Sequence, residues 1–236
     1  MFVKTQAIVL RQNKFSDNKR IVTILTQSHG KKNFIVYNSK KNKNSFFQSF
    51  FILNLDFNYK ENQNLTSIKE VALNVPFNSI PYNNEKMAIA FFLSEIINKI
   101  LEENFQDTVF FDFLKNSIIL LDNHPKPANF HIAFLAAMSV YVGIMPKQNY
   151  SVENKYFNFR DGQFSFLFDK QFSFNEFYSF KFQEILNAGI EGFDNVKLIQ
   201  SERNILLKNI LEFYAFHFNS IKNLKSLDVL QEVFQT

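Results

Sequence analysis

The chain has 236 residues, 46% of them hydrophobic and 20% charged, a globular composition able to bury one or two cores and unlike that of a disordered chain. It has no Cys, which excludes disulfides and thiolate metal sites and fits a reducing compartment. The net charge of +4 hides a split: residues 1–75 carry twelve Lys/Arg against four acids, a net of +8, and residues 76–236 carry fourteen against eighteen, a net of −4, so the first part is the one expected to meet a polyanion.

The opening MFVKTQAIVLRQNK lacks the apolar run and small-residue cleavage site of a signal peptide. Strands are expected at Val3–Arg11, at the nearly continuous apolar run Ile21–Thr26, and at Phe34–Tyr37 after the Ser28-His29-Gly30 turn. A lysine-rich stretch, NSKKNKNS, follows. Two further strands are expected at Phe50–Tyr59 and Leu65–Val75, separated by the polar KENQN. Five short strands in about 75 residues predict a small closed barrel, which removes exposed edges and is expected to be of the OB type.

Pro76 and Pro81 bracket a connector, after which helical periodicity takes over. Met87, Ala90, Phe91, Ser94, Ile97 and Leu101 form one stripe at helical spacing. Met87–Leu101 is interrupted by Ser94, Glu95, Asn98 and Lys99, so a buried helix is expected there and not a membrane span. Helices are expected at Asp107–Leu121 and Asn129–Val142, parted by Asn123-His124-Pro125-Lys126-Pro127. Residues 146–172 alternate aromatic and polar side chains around Asp161-Gly162, the pattern of a β-hairpin. Ser173 or Asn175 is expected to cap a helix running to about Asn187, and Ser201–Asn219 and Leu224–Phe234 complete the helical part, with Ser226 as N-cap of the last helix. The fold class is thus α+β and multidomain: a five-stranded OB-fold β-barrel over 1–78, then an α-helical domain over 79–236 with a small hairpin insertion at about 146–172.

The first segment holds both ingredients of a nucleic-acid surface. Arg11, Lys14, Lys19, Arg20, Lys31, Lys32, Lys40, Lys41 and Lys43 neutralise phosphates, and Tyr37 offers a ring on which a base can stack. These residues are expected to meet on one barrel face, with Phe15 in the first turn and Phe34 in the core. Catalytic chemistry is not expected. His29, His124, His131 and His217 lack ligand spacing, Glu102-Glu103 end a helix on a solvated face, and five glycines leave little for a phosphate-cradling loop. No metal and no cofactor is expected.

Four segments carry a resemblance that covers nearly the whole chain. KTQAIVLRQNKFSDNKRIVTILTQSHGKKNFIV, FHIAFLAAMSVYVGIMP, YFNFRDGQF and LKSLDVLQEVF follow one another with the order and spacing of the RecO family of recombination-mediator proteins. The resemblance implies an OB barrel followed by a helical domain. It also implies a cytoplasmic, nucleoid-associated DNA repair protein that is not an enzyme. Such proteins bind single- and double-stranded DNA, anneal complementary strands, and join RecR and in some lineages RecF. They help load RecA onto DNA coated by single-stranded DNA-binding protein, whose C-terminal tail they hold. Many relatives carry a cysteine zinc site before the hairpin. KQNYSVENKY here offers no such set, so packing by Tyr150, Tyr156, Phe157 and Phe159 is expected to hold the loop. Relatives that hold the acidic-apolar tail use a basic residue near the helix at 129–142, where this chain has only His131. The reading from another class is an OB-fold RNA-binding or translation-associated module.

Overall fold

A computed structural model describes residues 1–37, 44–60, 65–103 and 105–234. The chain divides into two compact units, Met1–Asn123 and His124–Thr236.

In the first unit, β1 (Phe2–Ser16), β2 (Lys19–Thr26), β3 (Gly30–Tyr37), β4 (Ile52–Asn58) and β5 (Leu65–Leu73) close into a barrel in the order β1-β2-β3-β5-β4. The β3–β5 seam is parallel and the other pairings are antiparallel. The expected five-stranded barrel is therefore present. Strand β1 is longer than its apolar stretch because it serves two neighbours: residues 2–8 pair with β4 and residues 7–16 with β2. A register shift between Val9 and Arg11 turns the strand from one partner to the other. Beyond that shift Gln12, Asn13 and Lys14 hide the strand from hydrophobic patterning. Alternate residues point inward, and Val3, Ala7, Val9, Val22, Ile24, Phe34, Val36, Leu53, Leu55 and Phe57 fill the interior. Phe34 is thus core, its ring edge-on to Phe57 at 5.1 Å. Strand β4 begins two residues later than Phe50, which takes a positive φ of 68° and donates its N–H to Val9 O at 2.8 Å, docking the entering chain at the β1 bulge.

Two helices complete this unit, α1 (Asn84–Ile100) and α2 (Thr108–Asn123). Strand β5 ends at Leu73 and α1 begins at Asn84, both within the compact unit Met1–Asn123. Asn83 caps α1, its side chain accepting from Lys86 N–H at 3.0 Å. The stripe expected on α1 needs correction. Ala90, Ser94, Ile97 and Leu101 are buried, but Met87 and Phe91 are exposed, and Ala88, Ile89, Phe92, Leu93 and Ile96 are buried instead. With apolar residues at most positions of the helix, several stripes fit the sequence equally well, and packing chooses between them.

A buried ionic knot anchors the connector to α2. The Asp122 carboxylate accepts the backbone N–H groups of Asn78, Ser79 and Ile80 at 2.7–2.9 Å, and Lys86 donates to Asp122 O at 2.8 Å and Ser79 Oγ at 2.6 Å. Burial works to raise the Asp122 pKa, but the three N–H donors and the Ser79 hydroxyl outweigh it and hold the carboxyl below its ordinary value.

The second unit contains α3 (Phe130–Tyr141), a hairpin of β6 (Tyr156–Asn158) and β7 (Gln163–Ser165), α4 (Glu176–Ala188), α5 (Gln200–His217) and α6 (Ser226–Val233). The hairpin turns through Gly162 at φ 63°, where a side chain would be strained. Asn175 caps α4 by accepting from Tyr178 N–H at 2.9 Å. Ser226 is not an N-cap: it is the first helical residue and fully buried, and Lys225 holds the cap position. Packing holds the hairpin, as expected. Phe157 lies within 5.5 Å, centroid to centroid, of Phe164, Phe174, Phe182 and Phe213, and Phe159 touches Phe172 and Phe216. Among the described residues no group of three or more His, Asp or Glu could hold a metal.

Candidate nucleic-acid interface

The barrel register sorts the predicted basic residues. On the outer wall of β1, β2 and β3, side chains stand in rows across the strands: Arg11–Thr23–Asn33, then Asn13–Ile21–Ile35, then Lys19–Tyr37 with Ser16 opposite Lys19. Neighbours in such rows have Cβ atoms about 5 Å apart. Polar bonds hold the wall in shape, Thr23 Oγ1 donating to Asn33 Oδ1 at 2.8 Å and Arg11 Nε to Asn13 Oδ1 at 3.1 Å. The Tyr37 ring is 49% exposed, and the Lys19 ammonium lies 5.3 Å from its centroid. Arg11 and Lys19 make no ion pair with a described residue.

Phe15, 62% exposed, lies at the register shift between Lys14 and Ser16, next to the Asp17-Asn18 turn that joins β1 to β2. Lys14 and Arg20 pair across the same hairpin but have the inward parity, so they emerge at the barrel mouth. Lys14 is bridged to Asp17 at 2.7 Å, and Arg20 donates to Gln12 Oε1 at 3.0 Å. Arg11, Lys19 and Tyr37 therefore form one surface, with Lys14, Phe15 and Arg20 at its rim.

Lys31 and Lys32 do not join them. They sit at the opposite end of β3, six and five residues from Tyr37, or about 17–20 Å along the strand. The Lys31 ammonium caps the C-terminus of α1, donating to Asn98 O at 3.0 Å and to Leu101 O. Burial lowers the Lys31 pKa, opposed by Glu103 and Glu102. Its neighbour Lys32 lies over the Tyr59 ring at 5.5 Å, where His29 also packs on Tyr59 at 4.5 Å. Burial and the nearby Lys32 charge both lower the His29 pKa. Lys40, Lys41 and Lys43 fall outside the described residues. The sequence reading missed this division because it follows from strand register, and charge clustering along the chain does not report register.

In the second unit, α5 brings Arg203 to the start of α3. Its guanidinium donates to Asn129 Oδ1 at 3.5 Å and stacks on Phe234, which also lies 5.9 Å from His131. His131 itself is fully buried, and burial together with the Arg203 charge pushes its pKa down to about 3. Beside Arg203 opens a cleft with an apolar floor of Val196 and Leu198, flanked by Ile199, and cations at Lys126 and Lys197. Its acids are engaged, Asp194 facing His124 at 3.4 Å and Glu202 accepting from Ile199 N–H at 3.0 Å. A basic residue near α3 is thus present, supplied from 74 residues away in sequence, where no local pattern reports it.

Among the described residues no helix is long and apolar enough to cross a membrane. The family model described as recombination protein O N terminal matches residues 1–77, and that described as recombination protein O C terminal matches residues 82–228. The chain is similar to proteins named DNA repair protein RecO along their whole length. It is 34% identical to that of Flavobacterium psychrophilum, 32% to that of Bacteroides fragilis and 31% to that of Flavobacterium johnsoniae, each match covering 99% of this chain and 100% of the relative. With its barrel, its helical second part and these two matches, the chain belongs to the RecO family of DNA repair proteins.

Proposed function

We propose that this protein is a mediator of homologous recombination that binds single- and double-stranded DNA, speeds annealing of complementary strands and helps load RecA onto DNA coated by single-stranded DNA-binding protein. The observation that carries the reading is the outer barrel wall, where Arg11 and Lys19 meet no carboxylate among the described residues and stand beside the half-exposed Tyr37 ring. Phosphates neutralised by these cations release counterions, and a base stacked on Tyr37 gains about 1–3 kcal/mol largely regardless of sequence. Lys14, Arg20 and Phe15 extend the surface at the mouth. In this reading Lys40, Lys41 and Lys43, which lie outside the described residues, add further phosphate contacts, and Lys32 serves the far end.

RecR is the expected partner, with RecF where the lineage uses it. The acidic-apolar tail of single-stranded DNA-binding protein fits the cleft beside Arg203, with Lys126 and Lys197 for its carboxylates and Val196, Leu198 and Ile199 for its apolar end. The protein acts in the cytoplasm at the nucleoid and by binding alone, without catalysis or cofactor.

The test is a salt titration of binding to single-stranded DNA, duplex DNA and RNA of equal length, combined with an annealing assay. The reading expects salt-sensitive DNA binding and faster annealing by the wild-type chain. Retention of RNA without DNA at low ionic strength would instead support the RNA-binding module. Strand cleavage or nucleotide hydrolysis abolished by one substitution would make the protein an enzyme.

A further inference from the structure

We infer that the barrel carries a second nucleic-acid contact at the end remote from Tyr37, built on Phe2 and Tyr59, so that one molecule holds two strands at once. The inference rests on the DNA-binding reading above and adds a site to it.

Phe2 opens β1, its ring 49% exposed on the outer wall. Two ammonium groups flank that ring, Lys69 from β5 at 5.1 Å and Lys4 at 5.6 Å from the centroid. Lys69 is exposed and makes no ion pair with a described residue, while Lys4 is bridged to Asp56 at 3.2 Å. Across the pair of β1 and β4, Phe2 faces Asn58, and the next residue, Tyr59, exchanges backbone hydrogen bonds with Met1. The N-terminal ammonium donates to Tyr59 O at 2.9 Å, and Lys32 lies over the Tyr59 ring. Phe2 with Lys4 and Lys69 thus forms an outer-wall patch where β1 begins, and Tyr59 with Lys32, of the opposite parity and packed against the barrel core, borders it at the barrel mouth.

The chemistry matches the first surface. A ring flanked by ammonium groups is prepared for a nucleotide: a base can take the exposed part of the ring while the flexible lysine stem follows the adjacent phosphate. Opposing charge is small, since Asp56 is engaged by Lys4 and Glu70 is the other described acid on these strands. A polyanion with flat apolar faces is the ligand that satisfies both groups, which selects single-stranded nucleic acid over an acidic peptide. The two surfaces lie at opposite ends of β1: Phe2 and Ser16 are fourteen residues apart, at most about 45 Å along an extended strand and less along this curved one. An oligonucleotide of four nucleotides is too short to span both. Two strands held on one barrel raise their mutual effective concentration, which is the physical requirement of annealing.

The test counts equivalents of a four-nucleotide oligothymidylate, at the short end of OB-site lengths of about 4–16 nucleotides, bound by the full chain at low salt. Wild type is expected to bind two. The F2A/K69E variant and the K19E/Y37A variant are each expected to bind one, and F2A/K69E is expected to anneal complementary strands at least about tenfold more slowly. Lys69→Glu alone, at an exposed position outside the core, repeats the measurement should the double variant fold poorly. One equivalent on wild type, or two retained on F2A/K69E or Lys69→Glu, overturns the second site while the DNA-binding reading stands. No binding to wild type defeats the DNA-binding reading itself.

Discussion

The two units use the same pair of groups, a cation over an aromatic ring, to different ends. In the barrel Lys19 lies over Tyr37 and Lys69 over Phe2, and neither lysine meets a described carboxylate. In the second unit Lys155 lies over Tyr156, Lys181 over Phe177 and Phe180, and Arg160 over Phe172. There each of these three cations is also neutralised, by Glu176 at 2.8 Å, Glu184 at 2.8 Å and Asp161 at 3.3 Å respectively. Two pairs fall outside the contrast, Arg203 over Phe234 and, in the barrel, Lys4 over Phe2 with its bridge to Asp56. Hydrogen bonding to Glu176 raises the Lys155 pKa, the mark of a settled pair. A compensated cation braces its own surface, whereas an uncompensated one leaves its field for a ligand. The excess of +8 over residues 1–75 is therefore legible at the level of single rings.

The comparison extends to what holds each unit together, and substitutions can break it unit by unit. The largest effect is expected in the second unit. Phe157→Ala removes the ring on which Phe164, Phe174, Phe182 and Phe213 converge and is expected to cost about 3–5 kcal/mol in chemical denaturation. A loss below about 1 kcal/mol would mean that the hairpin does not depend on this cluster. Next comes the knot of the first unit. Asp122→Ala strands three backbone N–H groups at Asn78, Ser79 and Ile80 and is expected to cost about 3 kcal/mol. Because the folded pKa of Asp122 is depressed, its contribution is present above the unfolded carboxylate pKa and is lost as pH falls through the folded one.

A third effect is set by pH. His131 is neutral in the fold with a pKa of about 3, whereas the unfolded chain takes up a proton near 6.5, so acid favours unfolding between those values. Stability is expected to drop by about 2 kcal/mol from pH 7 to pH 5, and His131→Gln is expected to flatten that slope. An unchanged slope in the variant would assign the acid sensitivity to other groups. The smallest effect separates the two kinds of cation. Lys155→Gln and Lys181→Gln are expected to leave DNA affinity within about twofold, because their charges are already compensated.

Much of this was readable in the sequence, for physical reasons that differ by element. The barrel strands announced themselves as short runs rich in β-branched and aromatic residues bounded by polar turns, as in IVTILT and FIVY. The Gly162 turn was equally plain, and the α4 cap was narrowed to Ser173 or Asn175, of which Asn175 serves. The buried face of α1 was not readable, because a helix apolar nearly all round has no preferred stripe until it packs. For the candidate surface, composition supplied candidate residues, and strand register divides them into separate groups. Lys31 is adjacent to Lys32 in sequence, yet it caps α1, and both lie far from Tyr37. Nothing local marked Arg203 as a neighbour of His131 or Lys69 as a neighbour of Phe2, for these contacts exist only after closure of the fold.

The central claim is that uncompensated barrel cations carry DNA binding, and the salt dependence of affinity addresses it most directly. Single-stranded DNA affinity should be followed against salt concentration for wild type, for R11E/K19E and for the matched pair K155E/K181E. The account predicts that the slope of log affinity on log salt flattens by about 0.7 for each phosphate that the barrel variant no longer neutralises. It also predicts that K155E/K181E keeps the wild-type slope. Equal flattening in both variants, or none in R11E/K19E, would contradict it.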